Sequence, residues 1–518
     1  MKIVIRADAS LQIGSGHVMR CLTLANYLKN HAEILFLCRP HEGNLIKLIE
    51  QNQFSVRVLN PPNLISDYSL VHSQWLGSTQ KEDAQQCLKA LGVEKYDWMI
   101  VDHYALDKTW QFLMKESFRK LMVIDDLGDR CHICDLLLDQ NFGSNHEKYK
   151  GLIPKNCYVL LGPEFTLLRN EFTKWREISI KRRSNYLIKN ILINLGGVDK
   201  ENYTNKIIKE IEKSHLSRDI EIIVVLGKTS PHIEAVMLAS KNSSFDIHVK
   251  TGVQNFAELM SNADLAIGAG GTTTWERCCL GLPTIQLVIA ENQKILSESL
   301  SNINALLFLS SPSNLKSALD KAKDNLEVLA LNSFNLVDGK GVLRVSNIIL
   351  LAEFFELGLG LIPYQSLSRN DALEILLMRN NIEIRKWMTN KKIITIKEHL
   401  NFISNLSKKK NCLFLVLKNN CKIIGTINFT SINKVNGSAE FGIFANPFLF
   451  EKGRGERLMK AAMLYSKNCL RLKRLNLQVF AENKAAINLY KKYKFFKNSN
   501  IEGNQEDLIN MSNILDKS

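Results

Sequence analysis

Proline and glycine are scarce, 10 and 27 among 518 residues, which excludes a collagen-like or low-complexity chain. Apolar runs of the roughly 18 residues needed to cross a bilayer are missing as well. The nearest candidate, Val345 to Pro363, is interrupted by Glu353 and Glu356. The opening Met1-Lys2-Ile3-Val4-Ile5-Arg6 is charged too soon for a secretory leader, so a cytoplasmic protein without a membrane partner is expected. Cysteine is neither abundant nor paired: the 11 residues, an odd and scattered set, suit a reduced compartment better than a disulfide framework. The one C-x-x-C, Cys131 to Cys134, has no second Cys or His pair nearby, so no metal site is expected.

What is present is enough for about three domains, with 45% hydrophobic and 23% charged residues. The net charge of +15 is uneven: residues 351–518 hold 27 Lys and Arg against 14 Asp and Glu, whereas residues 1–350 hold 40 against 38. A basic third suits nucleic acid or a small polyanion. Its basic residues alternate with apolar ones and carry no aromatic-studded RNA-binding pattern, which favours a nucleotide cofactor and no nucleic-acid partner.

Short apolar runs recur with room for a helix between them: Lys2–Ile5, Ala32–Leu37, Trp98–Val101, Leu121–Ile124 and Leu136–Leu138. After Lys181-Arg-Arg183 the rhythm restarts at Asn190–Asn194, Ile220–Leu226, Asp264–Gly268 and Pro283–Leu287. That pattern predicts two Rossmann-like α/β domains, 1–185 and 186–345, each a parallel sheet wrapped by helices. A connecting helix over 346–360 is expected next. From 361 to 518 the pattern becomes helix, Cys412–Leu417, an Asn419-Asn420 turn and Lys422–Asn428, an α+β domain with antiparallel strands.

Two glycine-rich turns carry the first chemistry. Ile13-Gly-Ser-Gly-His-Val-Met-Arg20 follows the first strand and opens a helix, where Gly14 and Gly16 let backbone amides approach an anion. His17 at that mouth is a candidate general base, the alternative being a capping or buried histidine. Ile267-Gly-Ala-Gly-Gly-Thr-Thr-Thr-Trp-Glu276 repeats the arrangement. Gly271, Thr272, Thr273 and Thr274 would meet a diphosphate and Glu276 a ribose, unless the threonines only cap the helix.

These two turns, with Asn194-Leu-Gly-Gly197 and Glu291-Asn-Gln293, closely resemble the UDP-2,4-diacetamido-2,4,6-trideoxy-β-L-altropyranose hydrolases of bacterial pseudaminic acid biosynthesis, over about residues 1–345. The resemblance implies a glycosyltransferase B arrangement of the two domains. It also implies UDP on the second domain, and His17 activating water against the anomeric carbon with inversion. Arg6, Asp8, Asp102 and Tyr104 are expected to meet the sugar from the first domain, and Asn255, Asn292 and Gln293 from the second.

In the last third, Glu451-Lys-Gly-Arg-Gly-Glu-Arg457 opens an amphipathic helix, where Gly453, Arg454 and Gly455 would suit a pyrophosphate. Strand Leu475–Phe480, then Asn483, then a helix with Tyr490 completes a resemblance to the GNAT superfamily of acetyl-CoA-dependent N-acetyltransferases. It implies that Asn483 contacts acetyl-CoA and that Tyr490 protonates the departing thiolate. One departure is Phe450, where that superfamily usually has Gln or Arg. Arg379-Asn380, Ile384–Met388 and His399–Phe402 resemble the acetyltransferase of the same pathway, whose substrate is UDP-4-amino-4,6-dideoxy-N-acetyl-β-L-altrosamine. Trp387 is expected in the sugar pocket or in the core, and Glu440 as a water-mediated base or a solvated strand residue. The expected protein is therefore a bifunctional acetyltransferase and hydrolase with acetyl-CoA as cosubstrate. Its rivals are a UDP-sugar glycosyltransferase and a chain whose last third is a degenerate CoA-binding module.

Overall fold

The computed structural model describes residues 1–63, 69–290, 293–350, 360–409, 411–419, 422–497 and 508–515. The chain divides into two compact units, Met1–Ser346 and Asn347–Ser518.

The first unit contains two parallel sheets. In the first, the spatial order is Ser55–Val58, Glu33–Cys38, Lys2–Ala7, Tyr96–Asp102, Phe118–Ile124, Leu136–Asp139 and Tyr158–Leu161. In the second it is Asp246–Thr251, Glu221–Leu226, Asn190–Asn194, Leu265–Ala269, Thr284–Leu287 and Leu307–Leu309. Central strands such as Lys2–Ala7 and Leu265–Ala269 are buried almost end to end, as expected where helices cover both faces of a parallel sheet. Numbered along the chain within each sheet, both begin 3-2-1-4. The order reverses between strands 1 and 4, and the carboxyl ends of those two strands frame the crevice where such sheets bind ligands.

The helix Asn170–Arg182 precedes the boundary expected at 185 but docks on the second sheet. Arg182 donates to the carbonyls of Ser261 and Ala263, and Arg183 to those of Met260, Ala263 and Leu280. These arginines satisfy helix-end carbonyls that would otherwise be buried without donors, so the helix belongs mechanically to the later sheet. Conversely, Arg344 on the helix Gly341–Leu350 reaches back to the Glu164 carbonyl. The fold is a pair of Rossmann-like domains in the glycosyltransferase B class. Most of the expected connecting helix, residues 351–359, lies outside the described residues.

The second unit is a seven-stranded sheet in the order Gly360–Pro363, Leu413–Asn419, Lys422–Asn433, Ser438–Ala445, Arg474–Phe480, Leu508–Ile514 and Phe496–Lys497. Its pairings are antiparallel except between Ser438–Ala445 and Arg474–Phe480. That parallel pairing extends only from Ser438↔Arg474 to Glu440↔Asn476. Beyond it the strands part, and among the described residues one edge of Phe441–Ala445 has no strand partner. Among the described residues no helix is long and apolar enough to cross a membrane.

Candidate functional sites

The first site lies at the reversal point of the first sheet. Gly14, at φ +81°, turns the chain after the first strand, and the helix Gly16–Leu28 starts immediately. Its first turn carries His17, whose Nδ1 stands 2.6 Å from Asp102 Oδ1 at the end of the adjacent strand. Burial alone would raise the Asp102 carboxyl, yet Arg20 and His17 hold it well below the usual carboxylate range. An ionised carboxylate only accepts, so Nδ1 carries the proton shared with Asp102, and in the neutral ring the lone pair is on Nε2. His17 is thus held in the tautomer a base needs.

Arg20, one turn on, clamps the same carboxylate: its Nε lies 2.6 Å from Oδ2 and its second guanidinium nitrogen 2.6 Å from Oδ1. The Tyr104 ring packs edge-on against His17, with 4.6 Å between centroids, and its hydroxyl donates to Asp126. Trp75 stacks on Tyr104 at 5.8 Å and His72 lies 4.3 Å from Trp75. The imidazole is therefore walled by aromatic rings.

Opposite stands the second glycine-rich turn. A Cβ built on Gly16 would come within 3.5 Å of Thr272 Cγ2, so the two turns face each other across the crevice. Gly271, at φ +122°, is the residue before the helix Thr272–Cys279. Arg277 braces this turn from beneath, donating to the Ala269 carbonyl, Thr274 Oγ1 and Gln286 Oε1. Burial lowers that guanidinium to about 10. Glu276 is paired with Arg169 at 3.3 Å, and burial pushes its carboxyl upward.

Several expected contacts are committed elsewhere. Arg6 has no exposed surface; it is paired with Asp8 at 2.7 Å and Asp83 at 2.8 Å, and Asp83 also takes Arg39 at 2.7 Å. Asp8 accepts from the Arg39 amide and faces His103 and His41 at 3.3 and 3.6 Å. These two residues hold the strand ends together, because buried charges persist only when paired. Asp102 serves His17 and Arg20. Thr274 is turned inward, its hydroxyl donating to Gln286 and its amide bonded to the Gly271 carbonyl, which removes it from the phosphate side.

Thr272 and Thr273 remain partly exposed there. Gln293 sits beside Gly270, within 3.0 Å of where its Cβ would be. Asn255 is exposed at a helix start and donates to Glu258. Asn292 lies outside the described residues. Arg20, Asp126, Trp75 and His72 were not anticipated as site residues, although Asp126 stands just past a strand's carboxyl end. Cys134 lies 3.5 Å from the Cys157 sulfur, away from its C-x-x-C partner. Among the described residues no group of three or more His, Cys, Asp or Glu is arranged to hold a metal ion.

In the second unit the parted strands open into a cavity of about 780 Å³. Trp387, Arg454, Gly455, Asn483 and Tyr490 all line it, as do Arg379 and His399. Gly453, at φ +77°, starts the helix Arg454–Asn468, and the Arg454 guanidinium donates to the Asn446 carbonyl. Asn483 caps the helix Lys484–Lys492, accepting from the Ala486 amide at 3.1 Å. Tyr490 is buried between Phe441 and Phe495, and that burial pushes its hydroxyl up to about 12. The phenol therefore keeps its proton at neutral pH. Phe450 is fully exposed beside a shallower cavity of about 490 Å³ at Gly453 and Arg454. Glu440 is exposed and does not line the larger cavity.

Residues 381–495 match the Acetyltransferase (GNAT) family. The acetyltransferase PseH of Campylobacter jejuni is 36% identical over 117 residues, 23% of this chain and 71% of that protein. The chain belongs to the GNAT acetyltransferase family through its last third. Ahead of that GNAT region, residues 191–336 match the Glycosyltransferase family 28 C-terminal domain. The UDP-2,4-diacetamido-2,4,6-trideoxy-beta-L-altropyranose hydrolase of the same bacterium is 26% identical over 295 residues, 57% of this chain and 94% of that one. An uncharacterised protein of Methanocaldococcus jannaschii is 27% identical over 512 residues, 96% of this chain and 97% of its own length. The similarity to that protein therefore runs through both units of this chain.

Proposed function

We propose that the chain catalyses two consecutive steps on a UDP-linked amino sugar. The GNAT domain transfers acetyl from acetyl-CoA to the 4-amino group of UDP-4-amino-4,6-dideoxy-N-acetyl-β-L-altrosamine. The N-terminal unit then hydrolyses UDP-2,4-diacetamido-2,4,6-trideoxy-β-L-altropyranose to the free sugar and UDP. The observation that carries the reading is the Asp102–His17 pair at the sheet reversal, facing the Gly271–Thr272 turn through Gly16. On this reading a base stands on one side of the crevice and a diphosphate cradle on the other.

In the hydrolytic step His17 Nε2 takes a proton from water, whose oxygen forms a bond to the anomeric carbon as the bond to the diphosphate oxygen breaks. Attack opposite the leaving group inverts that carbon. The amides at the start of the helix Thr272–Cys279, together with Thr272 and Thr273, stabilise the charge on departing UDP, and Glu276 receives the ribose hydroxyls. No metal is assigned to this step. In the acetyl-transfer step the sugar amine attacks the thioester carbonyl, and the tetrahedral adduct collapses with loss of CoA thiolate. Tyr490 gives that thiolate its proton, and the proton that the amine nitrogen loses on becoming an amide passes to solvent, from which the phenolate is reprotonated. Gly453, Gly455 and Asn483 hold the cofactor, and Trp387 borders the sugar.

Mass spectrometry of the full chain with the 4-amino substrate and acetyl-CoA tests both steps. Wild type should yield UDP and free diacetamido sugar, and His17→Gln should accumulate the acetylated UDP-sugar. UDP released only when a sugar acceptor is added would make the first unit a glycosyltransferase. A 4-amine left unmodified would remove the acetyl-transfer assignment.

A further inference from the structure

Asp102 is shared unequally. Its two oxygens take two donors from Arg20, and only one of them also takes His17. The guanidinium nitrogen that reaches Oδ1 stands 3.4 Å from His17 Nδ1, so a fixed positive charge lies beside the ring that must gain a proton. Arg20 is 5% exposed and Asp102 not at all, so water screens this arrangement little.

The consequence follows from opposing signs. A buried carboxylate touching a histidine strongly favours imidazolium, and a base already protonated cannot accept the proton of water. A guanidinium on the same carboxylate cancels most of that pull while leaving the hydrogen bond that aims the ring. We propose that Arg20 is a positioning residue that fixes Asp102 and offsets the pull of that carboxylate on a second proton at His17, so that Nε2 is available as the hydrolytic base.

Every charged or titratable group that faces this pair enters the balance. The helix of His17 supplies Arg20 and Cys21, whose sulfur lies 3.6 Å from Asp102. The end of the neighbouring strand supplies Asp102, His103, which is turned to Asp8, and Tyr104. The next strand end supplies Asp126, 3.7 Å from Arg20 and bonded by Tyr104. The turn Ser73–Leu76 and the residue before it bring Trp75 and His72, and Arg130 lies over the Tyr104 ring at 5.5 Å. Arg20 is in contact with both His17 and Asp102, so its removal leaves the Asp102 carboxylate on the imidazole without that guanidinium.

The inference rests on His17 being the base for its catalytic meaning, but its electrostatic content is measurable without substrate. In the full chain labelled at histidine, with the His17 signal assigned by His17→Gln, an NMR titration should find the His17 pKa raised by about one unit or more in Arg20→Gln. The acidic limb of UDP release should move upward by the same interval, about a tenfold loss of rate per unit at a pH below it. A purely structural arginine would lower the rate at every pH and leave the limb in place.

Arg20→Gln leaves a buried carboxylate short of a partner, so a second comparison guards against misfolding. Asp102→Asn and the Arg20→Gln, Asp102→Asn pair differ only in the guanidinium, and the pair leaves neither member of the ion pair alone. His17 should titrate higher in the pair than in Asp102→Asn by about one unit. Equal titration in both comparisons overturns the proposal. A shifted titration with no UDP release from wild type would instead overturn the hydrolase reading and leave the role of Arg20 standing.

Discussion

We propose proton-transfer roles for both His17 and Tyr490, and the chain surrounds these two side chains by opposite means. Around His17 it places charges: Asp102 on the ring, Arg20 across Asp102, and Asp126 beyond Arg20. Around Tyr490 it places Phe441 and Phe495, and burial alone raises the phenol to about 12. The contrast follows from what each step needs. A base must change protonation near neutral pH, which calls for opposing charges in near balance. An acid that waits for a thiolate need only stay protonated, which desolvation ensures without a partner.

The largest expected effect removes the charged arrangement at its centre. His17→Gln should lower UDP release by about 10³-fold while acetyl transfer, measured as CoA release, stays at the wild-type rate. Equal loss of both activities would mean that the two sites are not independent, and the contrast between them would lose its basis.

Asp83→Ala tests whether charge pairing also carries the frame. The substitution takes the shared carboxylate from Arg39 and leaves Arg6 with Asp8 alone, both arginines being buried to within 1% of full burial, and should cost the N-terminal unit about 3 kcal/mol, read from its denaturant midpoint. Burial would raise the Asp83 carboxyl, but the two guanidiniums hold it below its usual value. Its contribution is therefore full above about pH 4 and disappears as pH falls through the lower folded-state value. A midpoint unchanged between pH 7 and the most acid pH at which the unit stays folded would contradict this.

That network also marks the limit of what was legible beforehand. Both parallel sheets, the two glycine-rich turns and the GNAT resemblance of the last third were visible because apolar rhythm and glycine position are local signals. Which polar residues face the crevice is decided by neighbours far away in the chain. Arg6 and Asp8 stand at a strand end, where ligands bind, yet Asp83 and Arg39 claim them. Thr274 belongs to the expected phosphate turn, yet its place on the helix turns it toward Gln286. Trp75 lies in a short turn without periodicity, and only the packing against Tyr104 reveals it.

Tyr490→Phe should reduce acetyl transfer by about 10²-fold with little change in the KM for acetyl-CoA, since the ring still fills the space between Phe441 and Phe495. The comparison also fixes the pH behaviour. With the hydroxyl at about 12, wild-type transfer should show no alkaline decline from this group below about pH 10. A decline centred near pH 8 that Tyr490→Phe abolishes would place the phenol among balanced charges like His17, against its apolar surroundings.

The smallest effect separates two duties of one residue. Asn483 caps the helix that carries Tyr490, and Asn483→Ala should cost about 1 kcal/mol through the lost cap. Asn483→Asp retains a capping oxygen and adds a negative charge at a helix start, so stability should hold or rise slightly. If Asn483 also faces the cofactor, as its position in the cavity wall suggests, that same charge repels an anionic ligand. Asn483→Asp should then raise the KM for acetyl-CoA several-fold while leaving the unfolding midpoint in place. A variant that keeps both stability and KM would confine Asn483 to capping, and would leave Gly453, Gly455 and the open edge of Phe441–Ala445 to hold the cofactor.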